Sequence, residues 1–377
     1  VIIIGVFLPF YKKTWNKNTT SIVFSILKIL ALPFLFMVLL NKGPEFLMKK
    51  DVIPFIWNKI VIPVTTIVPV GSIFLSLIIS YGLMEFVGVF MRPVMKPIWK
   101  TPGRSAIDAV ASFVGSYSLA LLITNRVYKE GKYTTKEAVI IATGFSTVSA
   151  TFMVIVAKTL DLMDSWNLYF WLTVIVTFLV TAITARIYPI RNKSDAYFEN
   201  QKGDVEKDIP KDKFKVAFNE GMEVCANSGS ILDNVIINLK DGIMLAFNIG
   251  PSLMAVGTLG IVLANHTPIF DWIGYLVYPF TLISGFEEPL LTAKALALGI
   301  AEMFLPAVLV TKLSFEVKML VAITCVSEVL FFSASIPCMM ATDIPISFKD
   351  YLIIWFERVV LSILVSIPLI YLVKVLM

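Results

Sequence analysis

Apolar residues run through this chain in long, nearly unbroken stretches separated by short polar ones. The stretches cover residues 20–40, 59–83, 106–127, 135–160, 167–188, 242–265, 289–311, 315–335 and 351–373. A spanning helix needs about 20 mostly apolar residues. The pattern therefore predicts an all-α, polytopic membrane protein with about nine or ten transmembrane helices. Residues 1–10 read as the end of a further helix, so a signal peptide is not legible. A transmembrane barrel would show short segments of alternating polarity, and these do not. Residues 191–215 are polar and carry charges of both signs, as an aqueous linker would. The short piece 231–239 is amphipathic and is expected to lie in the membrane interface.

The apolar pattern also repeats. MEFVGVFMRP (84–93) and FDWIGYLVYP (270–279) lie about 186 positions apart and share an acid, an aromatic, a Gly and a Pro. Downstream, this offset aligns Ser116 with Glu302. A slightly smaller offset aligns Thr147 with Ser327, and Val148 with Glu328. NLYFW (167–171) then matches YLIIW (351–355). The implied division is N-terminal segments 1–58, a first repeat 59–189, a linker with an interfacial helix 190–241, and a second repeat 242–377. Duplicated hydrophobic units are a transporter signature. By this count of crossings the repeats run parallel; one miscounted hairpin would invert them.

Polar positions inside the runs carry the candidate chemistry. Glu302 and Glu328 sit deep in apolar stretches, where a charge costs roughly 2.5–3.5 kcal/mol. Such residues mark substrate or ion sites unless a neighbour neutralises them. At helical spacing Thr143, Thr147, Thr151 and Lys158 share one face, as do Thr324, Ser327, Glu328 and Ser335, and also Glu287, Lys294 and Glu302. In SGFEEP (284–289), Ser284 and Glu287 have capping-box spacing, and Pro289 suits a first helical turn. Ser105 and Asp108 repeat the device. Glu287 and Glu288 are either caps or ligands at a helix start inside the membrane. The hydroxyls of Ser116, Thr143, Ser146, Thr147 and Ser327 either pack helices or line a polar site.

Composition supports the membrane reading. The 377 residues are 57% hydrophobic with mean hydropathy +0.82, and only 16% are charged, against about 25% in soluble domains. The net charge of +5 sets orientation rather than binding nucleic acid, since no basic–aromatic patch accompanies it. Arg126, Lys129, Lys132 and Lys136 crowd one loop, and residues 161–165 are acidic. Both place that loop and the linker in the cytoplasm. Arg92, Lys96, Lys100 and Arg104 then fall on the wrong side unless 82–100 is interfacial or re-entrant, which Pro93, Pro97 and Pro102 favour. Three cysteines without a CxxC pair and one histidine, His266, imply no disulfide framework and no metal site. No cofactor is expected, and no HExxH, GxSxG or P-loop marks an enzyme.

The run GRSAIDAVASFVGSYSLALLITNRVYKEGKYTTKEAVIIATGFSTVSATFMVIVAKTL and the run SGFEEPLLTAKALALGIAEMFLP resemble the bacterial YjiH family of membrane proteins. That family carries the nucleoside-recognition gate module, also found in concentrative nucleoside transporters, in ferrous iron permeases and in spore-maturation proteins. The resemblance extends from about residue 59 to the C-terminus and implies a multi-pass protein of the bacterial inner membrane. It makes 59–189 and 242–377 gate repeats.

The reading is a secondary transporter of a small polar solute, such as a nucleoside, base, amino acid or amine, with H⁺ or Na⁺ as coupling ion. Glu302, Glu328, Glu287 and Glu288 supply charge, and Ser116, Thr143, Ser146, Thr147 and Ser327 supply hydroxyls. The lipid bilayer is the other partner, and a homo-oligomer is compatible with the chain. The alternative is a non-transporting scaffold of the spore-maturation type.

Overall fold

The computed structural model describes residues 1–376 apart from 14, 16–18, 51 and 207–211. Helices make up 76% of the chain, and no strand occurs among the described residues. Among these residues, four helices are long and apolar enough to cross a membrane: Glu45–Phe74, Met163–Thr184, Ile231–Leu263 and Phe348–Lys374. The expected interfacial piece 231–239 is not separate. It is the first part of the Ile231–Ser252 helix, in which Gly242 lets Ser72 of the Ile62–Ser80 helix approach closely.

Four of the expected crossings are interrupted. Residues 106–127 form Ala106–Val114 and Tyr117–Lys129. Residues 135–160 form Thr135–Gly144 and Ala150–Thr159. Residues 289–311 form Pro289–Leu298 and Leu305–Leu309, and residues 315–335 divide into Phe315–Ser327 and a helix that starts at Ser335. Apolar content does not distinguish a continuous helix from a broken one. The breaks are instead marked by residues that satisfy the freed backbone groups. Ser116 accepts from the amide of Leu119 and Ser149 from that of Phe152, each at 3.4 Å. Ser335 accepts from Phe331 at 2.9 Å. Consequently the shared helical faces expected for 143–158, 287–302 and 324–335 do not exist as continuous stripes.

The first and third of these pairs are hairpins. In the first, Asp108 accepts hydrogen bonds from Thr124 (2.6 Å) and Tyr133 (2.7 Å), joining positions on either side of Ser116. Asp108 therefore staples the hairpin instead of capping a helix, and Ser105 makes no cap bond either. In the second, Glu287 accepts from the backbone amide of Ser314 and closes the base. Ser284 caps nothing at Pro289; it donates to Thr281, and Pro289 opens the helix at its first turn.

Ion pairs show which ends of the bundle lie together. Lys129 reaches Asp343 at 3.2 Å and Lys193 reaches Asp350 at 2.7 Å, so the first hairpin's base, the linker and the start of the C-terminal helix share one end. Lys318 lies 3.9 Å from Asp161, and Lys374 lies 2.6 Å from Glu316, so the second hairpin's base lies at the other. The two interrupted helices thus run in opposite directions. The parallel arrangement expected from counting crossings fails because each hairpin had been counted as a crossing.

The repeated acid–aromatic–Gly–Pro segments are the helices Leu83–Trp99 and Ile269–Ile283. A Cβ on Gly88 would meet the Arg104 backbone at 3.1 Å, and one on Gly274 would meet Lys294 Cα at 2.9 Å. In each copy the glycine lets the helix dock on the start of the following hairpin. The acids dock alongside: Glu85 with Lys132 (2.8 Å), and Asp271 with Lys294 (2.9 Å). Glu85 is buried, while Asp271 is exposed. The linker 191–215 is described except for 207–211. It packs along the turn before Thr135, where Thr135 and Lys136 donate to the carbonyls of Ala196 and Ser194. A further helix, Lys213–Asn227, packs on Leu83–Trp99. Arg92 and Arg104 thus lie at the linker end with the other bases, which removes the conflict in the charge pattern.

Candidate functional site

The four interruptions converge. Phe332 donates to the carbonyl of Ile300 (2.6 Å) and Ser333 to that of Ala301 (2.9 Å), so the tip of the second hairpin is stitched to the unwound segment 328–334. Tyr117, at the tip of the first hairpin, packs edge-on to Phe331 at 5.8 Å between ring centroids. Phe152 packs against Phe304 at 6.1 Å. Ser112 of the first hairpin donates to the carbonyl of Phe145 (2.6 Å) and lies 3.1 Å from the Thr147 hydroxyl. Each repeat therefore presents a hairpin tip against an unwound helix.

The segment 328–334 is strained. Val329 has φ +61°, and the Leu330 amide donates to Glu328's carbonyl at 2.7 Å. A β-branched residue in this region is held there only by its surroundings, at a cost of about 1–3 kcal/mol.

Most candidate residues meet here. Glu302 is 3% exposed and Glu328 is 1% exposed. One Glu302 oxygen accepts from the Phe304 amide at 2.6 Å, within its own turn. Glu328 Oε2 accepts from the indole of Trp355 at 3.0 Å, and Oε1 has no hydrogen-bond partner. Glu328 lies against Gly299, where a Cβ would sit 2.6 Å from Oε1. Neither acid has an ion-pair partner within 4.0 Å among the described residues, and Glu328 lies within Coulombic reach of both Glu302 and the Arg358 guanidinium. Ser116 lies at the first hairpin's tip, with its hydroxyl 2.9 Å from that of Ser118. Ser146 is buried with its hydroxyl unpartnered. Thr147 lies in the first unwound segment, whereas Thr143 is one turn earlier and bonds back to Val139. Ser327 bonds Ser362 at 2.5 Å.

Glu287 and Glu288 are not part of this cluster. Both are exposed at the base of the second hairpin, and a ten-residue helix of about 15 Å separates them from its tip. Glu288 has φ +46° and ends the chain's approach to Pro289 without a side-chain cap.

Three residues outside the sequence reading join the site. Trp355, Arg358 and Ser362 lie on one face of the C-terminal helix. Arg358 is fully buried; its Nε donates to the carbonyl of Ser327 (2.7 Å) and its Nη1 to the hydroxyl of Thr181 (3.1 Å). The sequence signal for them is spacing: 355, 358 and 362 recur at helical intervals and so share a face.

A second polar cluster sits at the base of the first hairpin. Glu206, from the linker, accepts from the amides of Gly103 (2.9 Å) and Arg104 (3.1 Å) and from Arg104 Nε (3.2 Å). Its other neighbour is Arg92 at 3.4 Å, which also pairs with Glu220 at 2.5 Å. A cavity of about 490 Å³ opens beside them, lined in part by Glu85, Lys132 and Glu223. Among the described residues no group of three or more His, Cys, Asp or Glu side chains is placed to hold a metal.

Interrupted helices meeting tip to tip define a class of membrane protein. The structure superposes on an outward-facing, doubly substituted CNTnw, a concentrative nucleoside transporter, with TM-score 0.59. The match covers 98% of this chain and 89% of that one at 12% identity, so the likeness is one of fold. An inward-facing, substrate-bound state of CNTnw gives TM-score 0.43 over 97% and 89%. Residues 61–163 match the Gate family, described as nucleoside recognition. An uncharacterised protein of Alkalihalophilus pseudofirmus is 31% identical over 333 residues, which is 87% of this chain and 72% of the relative. The chain belongs to the family of that protein.

Proposed function

We propose that the protein is a secondary transporter of a small polar solute, driven by H⁺ or Na⁺. The observation that carries this is the pair of buried carboxylates, Glu302 and Glu328, held at helix interruptions without ion-pair partners. A scaffold would satisfy such groups internally, because an unpaired buried charge is costly. Glu328 Oε1 is instead left free. The solute would lie between the tips and the unwound segments, with Ser116, Ser146, Thr147 and Ser327 as hydrogen-bonding partners. Thr143 would support the first wall from one turn away. Acids outnumber bases among these residues, which favours a cationic, zwitterionic or uncharged solute over an anion. The Gate match and the CNT fold support nucleosides or bases within that range, and amino acids or amines complete the set.

The gate repeats are taken as 59–189 and 242–377, inverted and separated by the linker, with the YjiH family as the named relative. The linker end, rich in Lys and Arg, faces the cytoplasm of a bacterial inner membrane. The test is uptake of a solute panel by proteoliposomes under an imposed proton or sodium gradient. Gradient-dependent uptake abolished by Glu302→Gln or Glu328→Gln is expected. If no panel member moves, and both variants leave cellular function intact, the scaffold reading stands in its place.

A further inference from the structure

We propose that Arg358 is a positioning residue that ties the two interrupted helices, one from each repeat, into a single moving part. Ser327 ends the Phe315–Ser327 helix, and its carbonyl accepts from Arg358 Nε at 2.7 Å. Gly144 ends the Thr135–Gly144 helix, and its carbonyl lies 3.0 Å from the Thr181 hydroxyl, whose single proton it shares with the Thr177 carbonyl at 2.7 Å. Arg358 Nη1 donates to that same hydroxyl at 3.1 Å. The path runs from Gly144 through Thr181 and Arg358 to Ser327. It joins the carbonyl ends of two helices just where each unwinds.

The chemistry suits this position. Helix C-termini carry partial negative charge, and a cation there is stabilised. Arg358 serves one end directly and the other through a hydroxyl. Among the described residues it has no carboxylate within ion-pair distance, so its hydrogen bonds go to these two ends, while Glu328 stays within Coulombic reach. Its third nitrogen, Nη2, is unpartnered, as is the buried hydroxyl of Thr177, one turn before Thr181. If one unwound segment shifted alone, the guanidinium would lose a partner in a dry interior, where unpaired donors are costly. The arrangement penalises separate movement of the two segments and favours their opening together. A lysine cannot replace this function, because its ammonium lacks the planar fork that reaches both partners.

That this coupling serves solute passage rests on the transporter reading, but the coupling itself is measurable without transport. The experiment is hydrogen–deuterium exchange on the purified protein in nanodiscs, following amides in 145–149 and 328–334. Thr181→Val and Arg358→Gln are each expected to accelerate exchange at least tenfold in both segments. Arg358→Lys should do the same, and Thr181→Ser should leave both segments unchanged. Trp355→Phe, which removes only the indole hydrogen bond to Glu328, should accelerate 328–334 alone. The proposal is overturned if Thr181→Val affects only 145–149, or Arg358→Gln only 328–334. It is equally overturned if Trp355→Phe loosens both. Should Arg358→Gln not fold, the Thr181→Val and Thr181→Ser pair decides.

Discussion

Two groups of buried charge lie in this molecule and are built on opposite plans. At the base of the first hairpin, Arg92, Arg104, Lys132, Glu85 and Glu206 each have at least one ion-pair partner within 4.0 Å. At the meeting point of the interruptions, Glu302, Glu328 and Arg358 have none and bond instead to amides, an indole, a carbonyl and a hydroxyl. Paired charges resist rearrangement, because breaking one pair strands the other member. Charges without a directly bonded counter-charge can exchange their contacts for a ligand more readily, even with Glu328 and Arg358 in Coulombic reach of each other. The first cluster thus anchors the linker to a hairpin, and the second is where we propose that a solute binds.

The largest expected effect tests the anchor. Arg104→Met removes the buried cation shared by Glu206, Asp204 and Glu85, leaving only Arg92 and Lys132 to the first and last, and should cost about 3–5 kcal/mol of stability, read by chemical denaturation or thermal melting. A small effect would mean the base is not structural. Next, Glu302→Gln and Glu328→Gln should each lower gradient-driven uptake on the order of a hundredfold, about 2.7 kcal/mol. Their melting temperatures should fall less than that of Arg104→Met: Glu302→Gln removes a buried charge, and Glu328→Gln does so while taking only a Coulombic, not a bonded, partner from Arg358. A drop as large as that of Arg104→Met would erase the distinction between the clusters. Gly299→Ala is a finer probe: its methyl would press on the Glu328 carboxylate and cost about 1–3 kcal/mol. Uptake should fall, and the shorter Glu328→Asp in the same chain should restore part of it. The smallest effect belongs to neither cluster. Thr134→Ala removes the capping box in which Thr134 and Glu137 bond reciprocally (3.2 and 2.7 Å). Its cost of about 1 kcal/mol in a melt calibrates the others.

Much of this was legible in the sequence because membranes impose simple rules. Runs of about 20 apolar residues located the long helices. Glu302 and Glu328 were conspicuous because carboxylates are out of place in such runs. The interruptions were not legible. Phe145 and Val148, or Leu330 and Phe331, are as apolar as helical residues, and only packing shows that they are unwound. Misreading each hairpin as a crossing then misplaced Arg92 and Arg104 and made the repeats seem parallel. Glu287 and Glu288 looked like site residues because a helix start can lie in mid-membrane, but their hairpin begins at the surface. Arg358 was not legible as a site residue because an arginine inside an apolar helix marks burial but not its partners, which lie on two other helices.

The hydrogen bond from Trp355 to Glu328 has a practical consequence. Of seven tryptophans in the chain, this one has its indole proton on the proposed binding carboxylate. Whatever engages that oxygen must weaken or redirect the bond and alter the ring's electronic surroundings. The molecule therefore carries its own optical probe: a shift in tryptophan emission on adding a solute, absent in Trp355→Phe, would reveal a ligand before any transport assay exists for it.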